Sequence, residues 1–327
     1  MFGFFAKPRP VPAKKAKAAP RKRVAPSGFG SNPGALRMET YAPPSLRAGR
    51  PLVVVLHGCG QHARAFAADA GWIAIADQFD LALVLPGQSA ANNPGRCFNW
   101  FRPGDVKRDA GEAMSIRQMI RSAVKSFGSD PRRIYVAGFS AGGGMAAALL
   151  AAYPALFAAG AVVAGMPAGS AATAAGAMLR MRKADTFRSR AALARDAISA
   201  SGSPPRKRWP RISIWQGERD RTVDPANAEV LATQWTALHG LDALPGTDSQ
   251  TGGARRRGWG RAGKTSAVEL WTLPALAHGF PVAAGLPHGG HPGPWVLEAG
   301  LSAAVHIAAF WNLTRLDAPP SPPQNRP

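Results

Sequence analysis

The chain has 327 residues, 46% of them apolar, which is enough to bury a sizeable core in one large domain or two small ones. Its formal charge is +21, from 40 Lys and Arg against 19 Asp and Glu, which favours anionic partners but says nothing about fold. No apolar run approaches the roughly 20 residues of a membrane helix, and two cysteines, Cys59 and Cys97, are too few for a disulfide scaffold or a zinc site.

Residues 1–30 read as a disordered basic arm. Lys7, Arg9, Lys14, Lys15, Lys17, Arg21, Lys22 and Arg23 fall within residues 1–24, with no acid among them. Such an arm is either a solvated tail or a contact for a polyanion, a granule or an anionic membrane. Pro and Lys interrupt the apolar start Met1-Phe2-Gly3-Phe4-Phe5, so no cleavable export signal is expected there. A second basic piece, Arg255, Arg256, Arg257, Arg261 and Lys264, has no assigned role.

Strands and helices then alternate. Residues 51–56 form a β-branched run that stops at His57-Gly58, and 65–79 have helical spacing. Residues 81–86 are a second strand and 112–127 an amphipathic helix. A third strand, 133–137, leads into an Ala-rich helix over 141–152. Residues 159–164 are a fourth strand, and 176–200 look helical and polar, fit for a lid or cap. The pattern continues with a strand at 211–215, a helix at 225–239, a strand at 268–273 and a last helix at 297–313. This alternation predicts an α/β fold over residues 31–315, a mostly parallel sheet with helices on both faces. Residues 316–327 read as a Pro-rich tail. In such sheets the ligand site lies at the carboxyl ends of the strands.

The segment after the third strand is Gly138-Phe139-Ser140-Ala141-Gly142, and it opens a helix. A sharp strand-to-helix turn lifts the Ser140 hydroxyl off the sheet, and Gly138 and Gly142 leave room for it. Serine is a weak nucleophile until a base takes its proton, and that base is ordinarily a His held by a carboxylate. After the strand 211–215 the acids are Glu218, Asp220 and Asp224. Asp220 sits at the loop tip and is favoured, whereas Asp224 precedes Pro225 as a helix cap would. After the strand 268–273, His278 precedes Gly279 and is favoured over His288 and His291; His239 and His306 fall in helices. The backbone N–H groups of Ala141 and Cys59 are the expected oxyanion donors. His57 is read as structural, since no metal-ligand cluster accompanies it. This chemistry needs no metal or cofactor. Asn99 and Trp100, in an aromatic loop, are read as lining a substrate pocket or as a satellite core. The spacing of Cys59 and Cys97 leaves open one bridge or two free thiols.

These motifs together resemble the esterase family of poly(3-hydroxybutyrate) depolymerases, with related acetyl-xylan and feruloyl esterases. The matching segments are 29–34, 56–61, 96–102, 135–143, 217–223 and the His278-Gly279 loop, within a resemblance spanning about 28–315. The resemblance implies an α/β-hydrolase fold, a Ser140, Asp220 and His278 triad, and a His57-Gly58-Cys59 turn that contributes to the oxyanion hole. It also implies that Cys59 and Cys97 flank the site, which favours a disulfide. It implies an ester substrate, with a 3-hydroxyalkanoate polyester or oligomer first and acetylated or feruloylated carbohydrate as the alternative. A third reading is a polyanion-binding protein acting through the basic arm. Family resemblance points to an extracellular location, and the lack of a recognisable signal leaves the cytoplasm as the alternative.

Overall fold

The structure is a computed structural model that describes residues 28–202, 208–241 and 243–314. Most of the expected basic arm and all of the expected Pro-rich tail lie outside the described residues.

Among the described residues, nine strands form one sheet. They are β1 (Arg37–Tyr41), β2 (Leu52–Leu56), β3 (Ala82–Gly87), β4 (Ile134–Phe139), β5 (Ala159–Val163), β6 (Arg211–Gly217), β7 (Thr247–Thr251), β8 (Ala254–Trp259) and β9 (Val268–Leu273). Their spatial order is β1-β3-β2-β4-β5-β6-β9-β8-β7. The centre is parallel from β3 to β9, and β1, β8 and β7 pair antiparallel at the two edges. A separate parallel pair joins β10 (Phe280–Val282) to β11 (Val296–Glu298).

The helices are α1 (Ala63–Asp69), α2 (Trp72–Phe79), α3 (Pro103–Val106), α4 (Gly111–Phe127), α5 (Ala141–Ala152), α6 (Ala174–Arg182), α7 (Arg190–Ser201), α8 (Ala226–His239) and α9 (Ala303–Phe310). They divide between the faces as the period-two pattern of the strands requires. Leu52, Val54 and Leu56 of β2 pack into one core with Ile116, Met145 and Trp235. Val53 and Val55 pack into the other with Phe66, Trp72 and Ile307. Every residue of β2 is buried, as suits a central strand covered on both sides.

Helices α1 and α2 connect β2 to β3 on one face, and α4 crosses from β3 to β4 on the other. The sheet therefore grows outward in both directions from the neighbours β2 and β4, where Leu56 pairs with Gly138. The crevice beyond their carboxyl ends is a topological switch point, where ligands bind in open α/β sheets. It receives the His57 turn from β2 and Ser140 from β4.

Several elements differ from expectation. The helix expected over 65–79 breaks into α1 and α2 at Gly71, whose φ is 86°. A Cβ there would lie 2.7 Å from the His288 carbonyl oxygen, so the break admits a close approach of the His288 loop. The segment 176–200, expected as a lid or cap, is two helices, and α7 packs on α5 and α8. Leu193 and Ala197 are buried, and Gln234 of α8 donates to the Leu193 carbonyl at 2.9 Å. The last helix starts only at Ala303, because 296–298 pair with β10. The β7–β8 hairpin was not expected, since its residues are polar. Its arginines are each paired with an acid: Arg255 with Asp248 at 2.5 Å, Arg256 with Glu269 at 2.7 Å, and Arg257 with Glu229. Among the described residues no helix is long and apolar enough to cross a membrane.

Candidate active site

Ser140 occupies the turn between β4 and α5 with φ 54° and ψ −118°, a backbone conformation rare for a residue with a side chain. The surroundings hold it there. Its N–H donates to the Val163 carbonyl at 2.9 Å, and its own carbonyl accepts from Gly144 N–H at 2.9 Å. A Cβ on Gly138 would clash with the Gly142 carbonyl, and one on Gly142 with the carbonyls of Leu56 and His57. The two glycines are thus required by backbone approach.

His278 reaches Ser140 from the loop after β9. Its Nε2 lies 3.0 Å from Ser140 Oγ, and its Nδ1 lies 2.7 Å from Asp220 Oδ2. Strands β6 and β9 are neighbours, with Gly217 opposite Leu273, so the acid and histidine loops leave the sheet side by side. Glu218 N–H donates to the Leu273 carbonyl and Arg219 N–H to the Leu276 carbonyl, both at 3.0 Å, which ties the loops together. Asp220 is buried, and burial alone would raise its carboxyl. The bonds from His278, Val223 N–H and Thr222 N–H outweigh burial and hold it below the usual carboxylate range. The other acids are placed elsewhere. Glu218 is exposed, and Asp224 accepts from Ala226 N–H at 3.0 Å at the start of α8.

The turn after β2 is fixed from several sides. The His57 Nδ1–H donates to the Gly58 carbonyl at 2.7 Å, while its Nε2 accepts from Gln88 N–H at 3.2 Å. Burial lowers the His57 pKa to about 4, so the ring is neutral at ordinary pH. Gln61 Oε1 accepts from Gly58 N–H at 2.8 Å, and Gly60 N–H donates to the Gly95 carbonyl at 2.9 Å. Cys59 and Cys97 form a disulfide, which joins this turn to the 88–102 loop. Among the described residues no acceptor takes the N–H of Cys59 or of Ala141.

A family model described as Esterase PHB depolymerase matches residues 36–263. The chain belongs to that family. Poly(3-hydroxyalkanoate) depolymerase C of Paucimonas lemoignei is 38% identical to this esterase-family chain over 291 residues, 88% of this chain and 69% of that protein. An acetylxylan esterase of Coprinopsis cinerea is 30% identical over 77% of this chain and 68% of its own length. A feruloyl esterase B of Talaromyces stipitatus is 29% identical, and the match spans 61% of its length. Among solved structures, an acetyl xylan esterase from Aspergillus awamori superposes with a TM-score of 0.72 at 20% identity, covering 88% of this chain and 97% of that one, a likeness of fold.

Within this family member, Asn99 departs from the pocket-lining expectation. It is fully buried, its N–H and amide donate to Glu112 at 2.9 and 2.8 Å, and its Oδ1 accepts from Asn93. It holds the disulfide-linked loop from below. Trp100 is also buried, and a Cβ on Gly144 of α5 would lie 2.8 Å from its ring. Four residues near the site escaped sequence reading: Gln61, Gln88, Glu112 and Trp295. Glu112 falls on the inner face of an amphipathic helix, where an acid reads as a solvated position. Burial pushes its carboxyl up to about 7, against the bonds it accepts from Asn99 and Gln88.

Proposed function

We propose that the protein is a serine carboxylic ester hydrolase that cleaves 3-hydroxyalkanoate oligomers or polyester through an acyl-enzyme. The observation that carries the reading is His278 bridging Ser140 Oγ and Asp220 Oδ2 at 3.0 and 2.7 Å. His278 accepts the Ser140 proton as Oγ attacks the ester carbonyl. Asp220 holds the Nδ1–H tautomer and stabilises the imidazolium. The Cys59 and Ala141 N–H groups receive the oxyanion, supported by the positive end of α5. His278 then protonates the departing alcohol, and water, activated by the same imidazole, frees the acyl group from Ser140.

The 38% identity to a protein named poly(3-hydroxyalkanoate) depolymerase C supports the polyester substrate. A second reading, deacetylation of carbohydrate, is favoured by the identity to an acetylxylan esterase. Incubation with 3-hydroxybutyrate trimer and with acetylated xylan separates them. Release of hydroxybutyrate without acetate supports the first, and acetate alone supports the second. The disulfide supports an oxidising compartment outside the cytoplasm. To the arm 1–24 we assign contact with a polyanion, granule or anionic membrane. A deletion of 1–24 that leaves binding to all three unchanged removes this assignment.

A further inference from the structure

Trp295 is 53% exposed, although a tryptophan ordinarily buries most of its surface. Its ring stands edge-on to the imidazole of His278, with centroids 6.0 Å apart. The backbone beneath it is unusual. Gly293 and Val296 exchange both backbone hydrogen bonds, at 2.9 and 3.0 Å, closing a two-residue turn of Pro294 and Trp295. Trp295 has φ 61°, the left-handed conformation that glycine or asparagine takes at that place. An aromatic residue is strained there, and its exposed ring gains little core burial in exchange.

The turn is also fastened to the oxyanion loop. Gln61 Nε2 donates to the Pro294 carbonyl at 2.7 Å, while its Oε1 accepts from Gly58 N–H at 2.8 Å. The Trp295 carbonyl accepts from Phe280 N–H at 2.8 Å, which anchors the turn to β10 behind His278. One glutamine side chain therefore sets the spacing between the Trp295 turn and the proposed oxyanion donors.

We infer that Trp295 is a specificity-determining wall for the leaving alcohol of the ester. The inference rests on the ester-hydrolase reading and deepens it. His278 Nε2 must protonate the departing oxygen, so the alcohol leaves on the imidazole side, where the indole stands. An alcohol that carries a further apolar unit, such as the next hydroxyacid of an oligoester, covers the exposed indole. A methyl leaving group is too short to do so. The hydrogen bonds made by Gly293, Pro294, Trp295 and Val296 offset the strain at Trp295 and hold the aromatic surface in place before substrate arrives.

Two esters with the same acyl group test this: methyl butyrate, and the butyrate ester of methyl 3-hydroxybutyrate. The readout is the ratio of kcat/KM for the longer alcohol over that for methyl. Trp295→Ala and Trp295→Gly are expected to lower the ratio about tenfold, mainly through KM for the longer ester, and Trp295→Phe to keep it within about threefold of native. The glycine variant suits the left-handed backbone, so its fold is not in question. A ratio within twofold of native in both the alanine and glycine variants overturns the inference while leaving the hydrolase reading intact. If the native chain cleaves neither ester, or cleaves them equally well as Ser140→Ala, the hydrolase reading falls and this inference with it.

Discussion

The Nδ1–H of His57 donates to the carbonyl of Gly58 at 2.7 Å, and this bond sets the direction of the next N–H, that of Cys59. In a trans peptide the carbonyl and the following N–H point opposite ways, so fixing one fixes the other. With Cys59 N–H as the proposed oxyanion donor, His57 is proposed to act through it as a positioning residue. His57→Ala frees the peptide to rotate. The expected result is a fall of about 10²-fold in kcat for p-nitrophenyl butyrate with KM changed less than threefold, in a variant whose circular dichroism is native. A proportionate rise in KM at constant kcat contradicts the assignment.

The disulfide between Cys59 and Cys97 closes a loop of 38 residues, which the chain-entropy model values at about 4 kcal/mol. The paired variant Cys59→Ser with Cys97→Ser should unfold in urea at a lower midpoint, with a loss of roughly 2–4 kcal/mol. Because the bridge ends in the Cys59 turn, kcat should fall as well. Urea melts and steady-state rates on the same preparations check both halves. Lost stability with full kcat would confine the bridge to a structural role.

Glu112 is fully buried among Asn99, Gln88 and Asn92, and burial raises its pKa from 4.5 to about 7. A carboxyl raised on folding binds its proton more tightly in the native state. Its contribution to stability is present below pH 4.5 and lost as pH rises through about 7, an effect of roughly 3 kcal/mol. His57 works in the opposite sense: its lowered pKa gives stability present above pH 6.5 and lost as pH falls through about 4. The two slopes largely cancel in the native chain. Comparison with Glu112→Gln isolates one of them. The native chain should be more stable relative to Glu112→Gln at pH 5 than at pH 8, by thermal unfolding. A difference independent of pH contradicts the burial argument.

Arg256 lies on β8 against Glu269, whose side chain is only 2% exposed and also accepts from Ser213 Oγ. Removing the guanidinium leaves a buried carboxylate without its charge partner. Arg256→Ala is expected to cost about 2–3 kcal/mol in urea unfolding. Arg255 faces Asp248 at the exposed edge, and Arg255→Ala should leave the unfolding midpoint unchanged. Equal losses at both positions would contradict the distinction.

The sequence carried the central sheet and the three triad candidates because both rest on local pattern. The run Leu52–Leu56 has the composition of a strand covered on both faces, and Gly138 and Gly142 mark a turn that only small residues permit. Asp220 and His278 were legible from their place just after strands. The edge elements were not. Strand β7, Thr247–Thr251, is exposed throughout and carries no alternation to read. The polar supports were hidden for a different reason. Gln61 reaches Pro294, 233 positions away, and Glu112 meets Asn99 only once α4 packs under the loop. Long-range hydrogen bonds leave no periodicity in the chain. The charge cluster at Arg255–Arg257 has no role that the sequence assigns, and in the fold each arginine meets an acid from Asp248, Glu269 or Glu229.

The proposed role of Ser140 as the nucleophile of an ester hydrolase is tested most directly by p-nitrophenol release from p-nitrophenyl butyrate by the native chain and by Ser140→Ala. A clear native rate is expected, with a fall of at least about 10⁴-fold in kcat for the variant, which keeps the proposed oxyanion donors but has no Ser140 hydroxyl. Equal rates from the two proteins would contradict it and remove Ser140 from the chemistry.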